Sequence, residues 1–179
     1  MIRLFDFLFS ILGLIILSPI LILLWIIGIF ESGSPLFKQE RVGYNQKFFI
    51  LFKFRTMHKD TKSVPTHRVN NLMITKFGFF LRRTKLDELP QLYNVLIGDM
   101  SLVGPRPCLV NQKKLISERK KRGVFKAKPG ITGLAQISGI TMKNPTLLAK
   151  TDMKMVRQLN LFYYFYYVVL TFFISFKKN

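Results

Sequence analysis

The stretch "FLFSILGLIILSPILILLWIIGIF", residues Phe7 to Phe30, decides the architecture of this chain because none of its 24 residues is charged. At 1.5 Å per residue, a straight helix of that length measures about 36 Å, enough to cross the hydrocarbon core of a bilayer. The run is too long for a signal peptide, and no small-residue cleavage site follows it. A chain of 179 residues could scarcely bury such a helix in its own core. The run therefore predicts insertion into a membrane.

Ser18 and Pro19 lie in the middle of this run and leave its path open between two alternatives. Proline removes a backbone donor and clashes with the carbonyl four residues earlier, while the serine hydroxyl can satisfy the freed groups. A spanning helix tolerates such a kink, but the same dipeptide could return the chain to the face that it entered. Arg3 precedes the run, and 21 of the 28 cationic residues lie between Lys38 and Lys128. That distribution predicts a cytoplasmic position for the middle of the chain.

A β-hairpin is expected directly after the apolar run, in "SPLFKQERVGYNQKFFILFKFRTM" (residues 34–57), because "GYNQ" is a turn signal between two apolar segments. A helix is predicted from Leu86 to Ile97, where apolar residues recur at helical spacing. Two glycines and two prolines in "GDMSLVGPRP" (residues 98–107) end that helix.

The remaining segments predict a basic helix, a loop and an aromatic helix. The basic helix is expected from about Cys108 to Arg122, and "KPGITGLAQISG" (residues 128–139) has the glycine content of a loop. The stretch "LFYYFYYVVLTFFISF" (residues 161–176) is uncharged and rich in tyrosine and phenylalanine. Such a segment suits the membrane interface, where tyrosine rings rest among headgroups, although aromatic stripes also pack in cores.

The overall charge of +19, combined with 49% hydrophobic residues, indicates an anionic partner. Nucleic acid, anionic lipid headgroups and a phosphorylated substrate all meet that description. The single cysteine, Cys108, excludes a disulfide within the chain. Cys108, His58 and His67 do not follow a metal-ligand spacing, so a structural zinc site is not expected.

Asp87 and Glu88 are the one adjacent pair of acids in the sequence, and they follow Arg82, Arg83 and Lys85. One explanation is structural, because acids near a helix N-terminus are stabilised by the helix dipole. The other is catalytic. The cations would lower the pKa of the carboxylates and would attract a phosphate to them. One carboxylate could then attack phosphorus, while its neighbour held a divalent ion that neutralises the phosphate charge.

Four motifs in this order strongly resemble the bacterial sugar transferases, the monotopic polyprenyl-phosphate phosphoglycosyl transferases. They are "KFRTM" (Lys53–Met57), "LRRTKLDELPQL" (Leu81–Leu92), "GDMSLVGPRP" (Gly98–Pro107) and "KPGITGLAQISG" (Lys128–Gly139), and the resemblance covers most of residues 1–140. Larger relatives carry a long N-terminal extension of several helices, so this chain resembles the minimal catalytic form.

The resemblance implies transfer of a sugar-1-phosphate from a nucleoside diphosphate sugar, a UDP-sugar, to polyprenyl (undecaprenyl) phosphate with release of nucleoside monophosphate. It implies Mg²⁺ as cofactor, the lipid bilayer as a partner and no nucleic acid. The expected location is the cytoplasmic face of the bacterial inner membrane, at the first membrane step of a glycoconjugate pathway.

The resemblance also implies roles for individual residues. Asp87 of "LDELP" would be the nucleophile, and the catalytic Glu88 would hold Mg²⁺. Arg106 of "GPRP" could contact phosphate or carboxylate groups, or could form a structural ion pair. The substrate phosphates would be bound by Lys53, Arg55 and Arg82.

The fold implied by the family is α+β and mainly helical around the small hairpin, with a first helix that re-enters at Ser18 and Pro19. Three segments are expected: a membrane-inserted helix at 1–31, a cytoplasmic catalytic domain at 32–160 and an interfacial aromatic helix at 161–179.

One region departs from the family pattern. Many relatives follow "GxAQ" with "NGRN" and a tryptophan, whereas this chain has "ISGITMKNPTLLAKTD" up to Asp152. The identity of the donor sugar and the role of Asp152 are therefore open. Two other functions remain as alternatives: a membrane-tethered nucleic-acid-binding protein and a basic scaffold at the membrane surface.

Overall fold

The fold is α+β and mostly helical, as the sequence predicts. A computed structural model describes residues 1–59 and 73–177. His67 lies outside the described residues. The helices are α1 (Ile2–Ile16), α2 (Ser18–Ser32), α3 (Lys76–Thr84), α4 (Gln91–Ile97), α5 (Lys113–Arg122), α6 (Leu134–Ile137), α7 (Pro145–Gln158) and α8 (Leu161–Lys177).

Within the described residues, five strands form two small sheets. They are β1 (Leu36–Val42), β2 (Phe48–Phe54), β3 (Ser101–Val103), β4 (Cys108–Leu109) and β5 (Gly130–Thr132). The first sheet has the order β2-β1-β4 with antiparallel pairs, and the second joins β3 and β5 in parallel.

The apolar N-terminal run folds as two helices, and the chain bends by 63° where they join. Pro19 lies in the first turn of α2, and the Ser18 hydroxyl donates to the carbonyl of Ile15 at 2.7 Å. The bend therefore occurs where the sequence predicts it, because proline cannot continue the hydrogen bonds of α1. No single helix in the described part of the chain is long and apolar enough to cross a bilayer, whereas α1 and α2 together meet the length and composition criteria.

The predicted hairpin is confirmed. Strands β1 and β2 pair from Leu36 opposite Phe54 to Val42 opposite Phe48. The turn between them contains Asn45 at a φ of 50°, a left-handed conformation that asparagine tolerates better than most residues. The outer edge of β2 is closed by the buried side chain of Asn94, whose amide bonds the backbone of β2 in the manner of a neighbouring strand.

Two local predictions are wrong. The segment predicted as a loop at 128–139 contains β5 and α6, and the basic helix begins at Lys113 after the short strand β4. Strand β5 escaped prediction because it is three residues long and begins with Gly130. A Cβ at Gly130 would lie 2.0 Å from the backbone nitrogen of Gly104, so glycine permits the two backbones to approach.

Helices α1 and α8 pack against the part of the chain that lies between them in sequence. One oxygen of the buried Asp6 in α1 accepts hydrogen bonds from the Ser101 hydroxyl, the Leu102 amide and the Tyr164 hydroxyl of α8. Tyr164 is buried in a core cluster with residues of β3 and α7, so one face of the aromatic helix serves the core. The three predicted segments are therefore in direct contact, and which of them touch lipid stays a prediction.

Candidate active site

A cleft of about 470 Å³ lies between the hairpin, the turn that follows α3 and the segments around β3 and β5. Its lining combines two carboxylates and five cations with apolar side chains, two threonines and two glutamines. The lining residues that carry charge are Arg41, Lys53, Arg82, Lys85, Asp87, Glu88 and Arg106. The cleft thus gathers cations from distant parts of the sequence around the adjacent acids.

Asp87 and Glu88 occupy a short 3-10 turn, Leu86–Glu88, between α3 and α4. Lys85 has a φ of 58°, which reverses the chain after α3 and presents the turn to the cleft. The helix predicted from Leu86 begins only at Gln91, and its first turn contains no acid. The stabilisation of a first-turn acid by the dipole of α4 therefore does not explain the acidic pair, since helix-dipole effects act within the first turn.

The two adjacent carboxyls have opposite pKa shifts. Burial, and to a lesser extent the charge of Glu88, raises the pKa of Asp87 to about 6, although Lys53 and Arg82 act in the opposite direction. The pKa of Glu88 lies below its usual range despite burial, because Arg106 lies beside it. The expectation that neighbouring cations lower both pKa values is wrong for Asp87, since desolvation outweighs attraction there.

Arg106 donates from Nη2 to Oε1 of Glu88 at 2.6 Å. The side chain of Arg106 is 42% exposed and that of Glu88 is 21% exposed, so the pair forms part of the cleft wall. The contact matches the ion-pair alternative for Arg106, while its exposure leaves guanidinium donors facing the cleft. The ion pair uses only one carboxylate oxygen of Glu88. Because both side chains are partly exposed, either of them can exchange its partner for a ligand in the cleft without unfolding of the protein.

Lys53 and Arg82 line the cleft, as expected for residues that bind phosphate. Burial and the charge of Arg41 lower the pKa of Lys53 to about 8, so this amine is mostly protonated at neutral pH. Arg82 donates from Nε to the hydroxyl of Thr56 at 2.8 Å, which fixes its guanidinium beside Asp87. Nζ of Lys53 lies 5.1 Å from the centre of the Phe37 ring, so both cations are oriented by contacts within the protein.

Arg55 and Arg83 do not line the cleft. Arg55 donates from Nε to the carbonyl of Ser34 at 2.9 Å and lies over the ring of Phe37, with 5.4 Å from its guanidinium carbon to the ring centre. It therefore holds the connection between α2 and β1, and the structure does not bring it to the acids. Arg83 is exposed on α3.

Arg41 is a cleft residue that the sequence did not single out. It lies on β1 opposite Phe49, and the hairpin register places it on the same face as Lys53. Nη1 of Arg41 donates to the carbonyl of Pro107 at 2.9 Å, and burial lowers the pKa of Arg41 to about 10. Side chains alternate between the two faces of a hairpin, so the sequence could have placed Arg41 beside Lys53 only if the register of the two strands had been known.

Several uncharged lining residues come from segments that the sequence assigned to a loop and to an interfacial helix. Thr132 of β5 and Thr171 of α8 share a hydrogen bond between their hydroxyls, and Gln136 of α6 also lines the cleft. The described residues contain no cluster of three or more His, Cys, Asp or Glu side chains that could hold a metal ion. A cation in this cleft would depend on the two adjacent carboxylates.

A family model described as bacterial sugar transferase matches residues 1–178 of this chain. The chain is 41% identical over 154 residues to an undecaprenyl-phosphate galactose phosphotransferase of Salmonella typhimurium, an alignment that covers 76% of this chain and 32% of that protein. It is 43% identical over 153 residues to a UDP-glucose:undecaprenyl-phosphate glucose-1-phosphate transferase of Klebsiella pneumoniae, covering 81% of this chain and 32% of the relative.

A shorter relative is covered more completely. The chain is 44% identical over 138 residues to an uncharacterized sugar transferase, EpsL, of Bacillus subtilis, with 76% of this chain and 68% of that protein aligned. The chain spans about a third of the length of the Salmonella and Klebsiella proteins. The similarity therefore concerns one part of those longer proteins.

Proposed function

This chain belongs to the bacterial sugar transferase family, and on that premise we propose that it transfers a sugar-1-phosphate from a nucleoside diphosphate sugar to polyprenyl phosphate. The products are nucleoside monophosphate and a polyprenyl diphosphate sugar. The observation that carries the proposal is the adjacent pair Asp87 and Glu88 in a cleft lined by five cations. The names of the Salmonella and Klebsiella relatives support undecaprenyl phosphate as acceptor, and the name of the Klebsiella relative supports a UDP-sugar as donor.

The first chemical step is an attack by a carboxylate oxygen of Asp87 on the phosphorus that carries the sugar. A bond forms between Asp87 and that phosphorus, and the bond to the bridging oxygen of the diphosphate breaks. Nucleoside monophosphate leaves with the bonding electrons. Since the pKa of Asp87 is about 6, the carboxylate is ionised at neutral pH yet remains more basic than an ordinary aspartate.

The second step regenerates the enzyme. A phosphate oxygen of the lipid acceptor attacks the same phosphorus, and the bond between phosphorus and Asp87 breaks. Lys53, Arg82 and Arg106 surround the acid and are oriented by protein contacts, so they can bind the phosphate oxygens without reorganisation. Their charge offsets the repulsion between the carboxylate and the incoming diphosphate.

The donor set of the cleft fits Mg²⁺. Asp87 and Glu88 supply carboxylate oxygens, which are the ligands that a hard cation prefers, and a magnesium site commonly takes only one or two carboxylates plus substrate phosphates. We assign Glu88 as the residue that would hold the ion. Bound Mg²⁺ would neutralise charge on the diphosphate and on the leaving phosphate.

We further propose that α1 and α2 form a re-entrant wedge in the cytoplasmic leaflet of the bacterial inner membrane, with the catalytic part on the cytoplasmic face. The 63° bend, and apolar side chains exposed on both helices, support this path. Arg3 donates to carbonyls at the end of α4, Val95 and Leu96, which supports an N-terminus on the same side as the cleft.

The wedge can be tested by labelling in intact cells with a membrane-impermeant thiol reagent. An Ile2→Cys, Cys108→Ser variant should remain unlabelled from outside, while adding Ser18→Ala and Pro19→Ala should straighten the helix and expose position 2. Labelling of the variant with the intact bend would demonstrate a spanning helix and end the re-entrant proposal.

The enzymatic proposal is tested by release of nucleoside monophosphate from a panel of nucleotide sugars, with undecaprenyl phosphate and Mg²⁺ present. We expect release from at least one donor and none without Mg²⁺. Salt-sensitive binding of random DNA without turnover of any donor would contradict the proposal and favour the nucleic-acid alternative.

A further inference from the structure

A second arginine–carboxylate pair lies inside the fold, between α5 and α7. Arg119 of α5 donates from both Nε and Nη2 to one oxygen of Asp152 on α7, at 2.9 and 2.7 Å. The side chains are 2% and 0% exposed, so neither reaches the cleft. A pair this deeply buried cannot bind substrate directly.

The third nitrogen of Arg119 links this pair to the cleft. Nη1 donates to the main-chain carbonyl of Arg106 at 2.8 Å, and the guanidinium of Arg106 in turn contacts Glu88. Pro105 and Pro107 flank Arg106, so the φ angles on both sides of it are fixed by the proline rings. Fixing the carbonyl of Arg106 therefore leaves little freedom in the direction from which its side chain emerges.

We propose that Arg119, held in place by Asp152, is a positioning residue that aligns the Arg106 guanidinium with Glu88. The inference rests on the proposed function, since the alignment matters only if Glu88 and Arg106 act on substrate. It also gives Asp152, whose role the sequence leaves open, a part in the site without any contact with the reactants.

Stability alone does not explain the buried pair. Burial raises the pKa of Asp152 in spite of its contact with Arg119, which indicates that the pair does not fully offset its desolvation. The other carboxylate oxygen of Asp152 is buried and has no hydrogen-bond partner among the described residues. Apolar side chains of similar volume often replace such pairs without loss of stability. Apolar side chains could not, however, donate the hydrogen bond that Nη1 of Arg119 makes to the main-chain carbonyl of Arg106.

The test uses two variants of the full chain in membranes. Arg119→Lys keeps a cation against Asp152 but cannot reach both Asp152 and the carbonyl of Arg106. Arg119→Met with Asp152→Leu removes the buried charges altogether. We expect both to fold and to lose about 10- to 100-fold in nucleoside monophosphate release, because small displacements of positioned groups cost rates of that size. Lys121→Met, which removes an exposed cation of the same helix, is the matched control and should stay within about twofold of the parent.

A double-mutant cycle separates positioning from a general structural defect. In an Arg106→Ala background, Arg119→Lys should cost less than about twofold, because the group that it positions is gone. An equal loss in both backgrounds would overturn the proposal. Failure of both Arg119 variants to fold would also overturn it, by showing that the pair is required for the fold itself.

A structure of the Arg119→Met, Asp152→Leu variant gives a readout that does not depend on turnover. We expect the contact between Arg106 and Glu88 to be broken, and an unchanged contact would refute the positioning role. If the parent chain turned over no nucleotide sugar, the proposed function would fail, while this structural comparison would still decide whether Arg119 aligns Arg106.

Discussion

The two arginine–carboxylate pairs of this protein have the same chemistry in opposite environments. Arg106 and Glu88 meet in the wall of the cleft with 42% and 21% of their side chains exposed, whereas Arg119 and Asp152 are 2% and 0% exposed. An exposed pair can exchange one partner for a substrate phosphate or a metal ion, but a buried pair cannot. Under the proposed function, exposure rather than pairing therefore separates the residues that would act on substrate from those that would hold them in position.

The largest effect is expected at Asp87, which lines the cleft together with Glu88 and Arg106. Asp87→Asn keeps the shape of the side chain and removes the nucleophile, so nucleoside monophosphate release should fall by at least about 10⁴-fold, equivalent to about 5.5 kcal/mol of transition-state stabilisation. Thermal unfolding should be unchanged or slightly improved, since burial disfavours the ionised carboxylate. Near-normal release would rule out attack by this residue.

The buried pair should respond in the opposite way, through stability. Asp152→Asn leaves the charge of Arg119 buried without its counter-ion, and the free energy of unfolding should fall by about 3–5 kcal/mol. Chemical denaturation in detergent micelles measures this loss, and Glu88→Gln is the matched control because its partner is exposed. Equal losses at both positions would break the distinction between the two pairs.

Glu88→Gln should instead change the metal dependence of the reaction. The amide retains the shape of the side chain but lacks the charge that a hard cation prefers, so turnover should fall by about 100-fold and half-maximal rate should require more Mg²⁺ than in the parent. Titration of Mg²⁺ at saturating donor measures both effects. An identical Mg²⁺ requirement in the two proteins would remove Glu88 as a metal ligand.

The pH dependence should be bell-shaped in kcat/KM, which reports groups of the free enzyme. The proposed nucleophile, Asp87, would act as a carboxylate, so the rate should fall about tenfold per pH unit as pH drops below about 6, where Asp87 becomes protonated. The rate should also fall as pH rises through about 8, where Lys53 loses its charge. Lys53→Arg should displace the alkaline limb upward, because arginine does not titrate in this range. A flat profile between pH 5 and 7 would contradict the assignment of Asp87.

The smallest effect is expected at Arg55, which family resemblance assigns to substrate but which contacts Ser34 and Phe37 outside the cleft. Arg55→Gln should leave kcat and the donor KM within about threefold of the parent, whereas Arg82→Gln should raise the donor KM at least about tenfold. The two substitutions remove the same charge, one from a position outside the cleft and one from the cleft lining. A larger effect at Arg55 than at Arg82 would reverse their roles.

Much of the fold could be read from the sequence because local signals were strong. Ser18 and Pro19 marked the bend, and "GYNQ" marked the hairpin. The parallel pair of β3 and β5 could not be read, since each strand has three residues and β5 begins with a glycine that serves backbone approach rather than side-chain packing. Short parallel strands that are distant in sequence leave no periodic pattern.

The site was predictable to the extent that its residues are neighbours in sequence. Asp87, Glu88 and Arg82 share one motif, but Arg41 reaches the cleft only through the register of the hairpin. The raised pKa of Asp87 could not be foreseen, because desolvation depends on the whole cleft whereas the sequence displays only the nearby charges. Arg119 and Asp152 are 33 residues apart in sequence, so their buried pairing left no local signal.

The proposed covalent intermediate on Asp87 is tested most directly by intact-protein mass spectrometry after incubation with Mg²⁺ and the preferred nucleotide sugar, without any lipid acceptor. We expect one adduct with the mass of a sugar phosphate, together with a stoichiometric burst of nucleoside monophosphate. Undecaprenyl phosphate should then remove the adduct, and Asp87→Asn should never form it. Full turnover with both substrates, but neither burst nor adduct with donor alone, would contradict the two-step mechanism and favour direct transfer to the lipid.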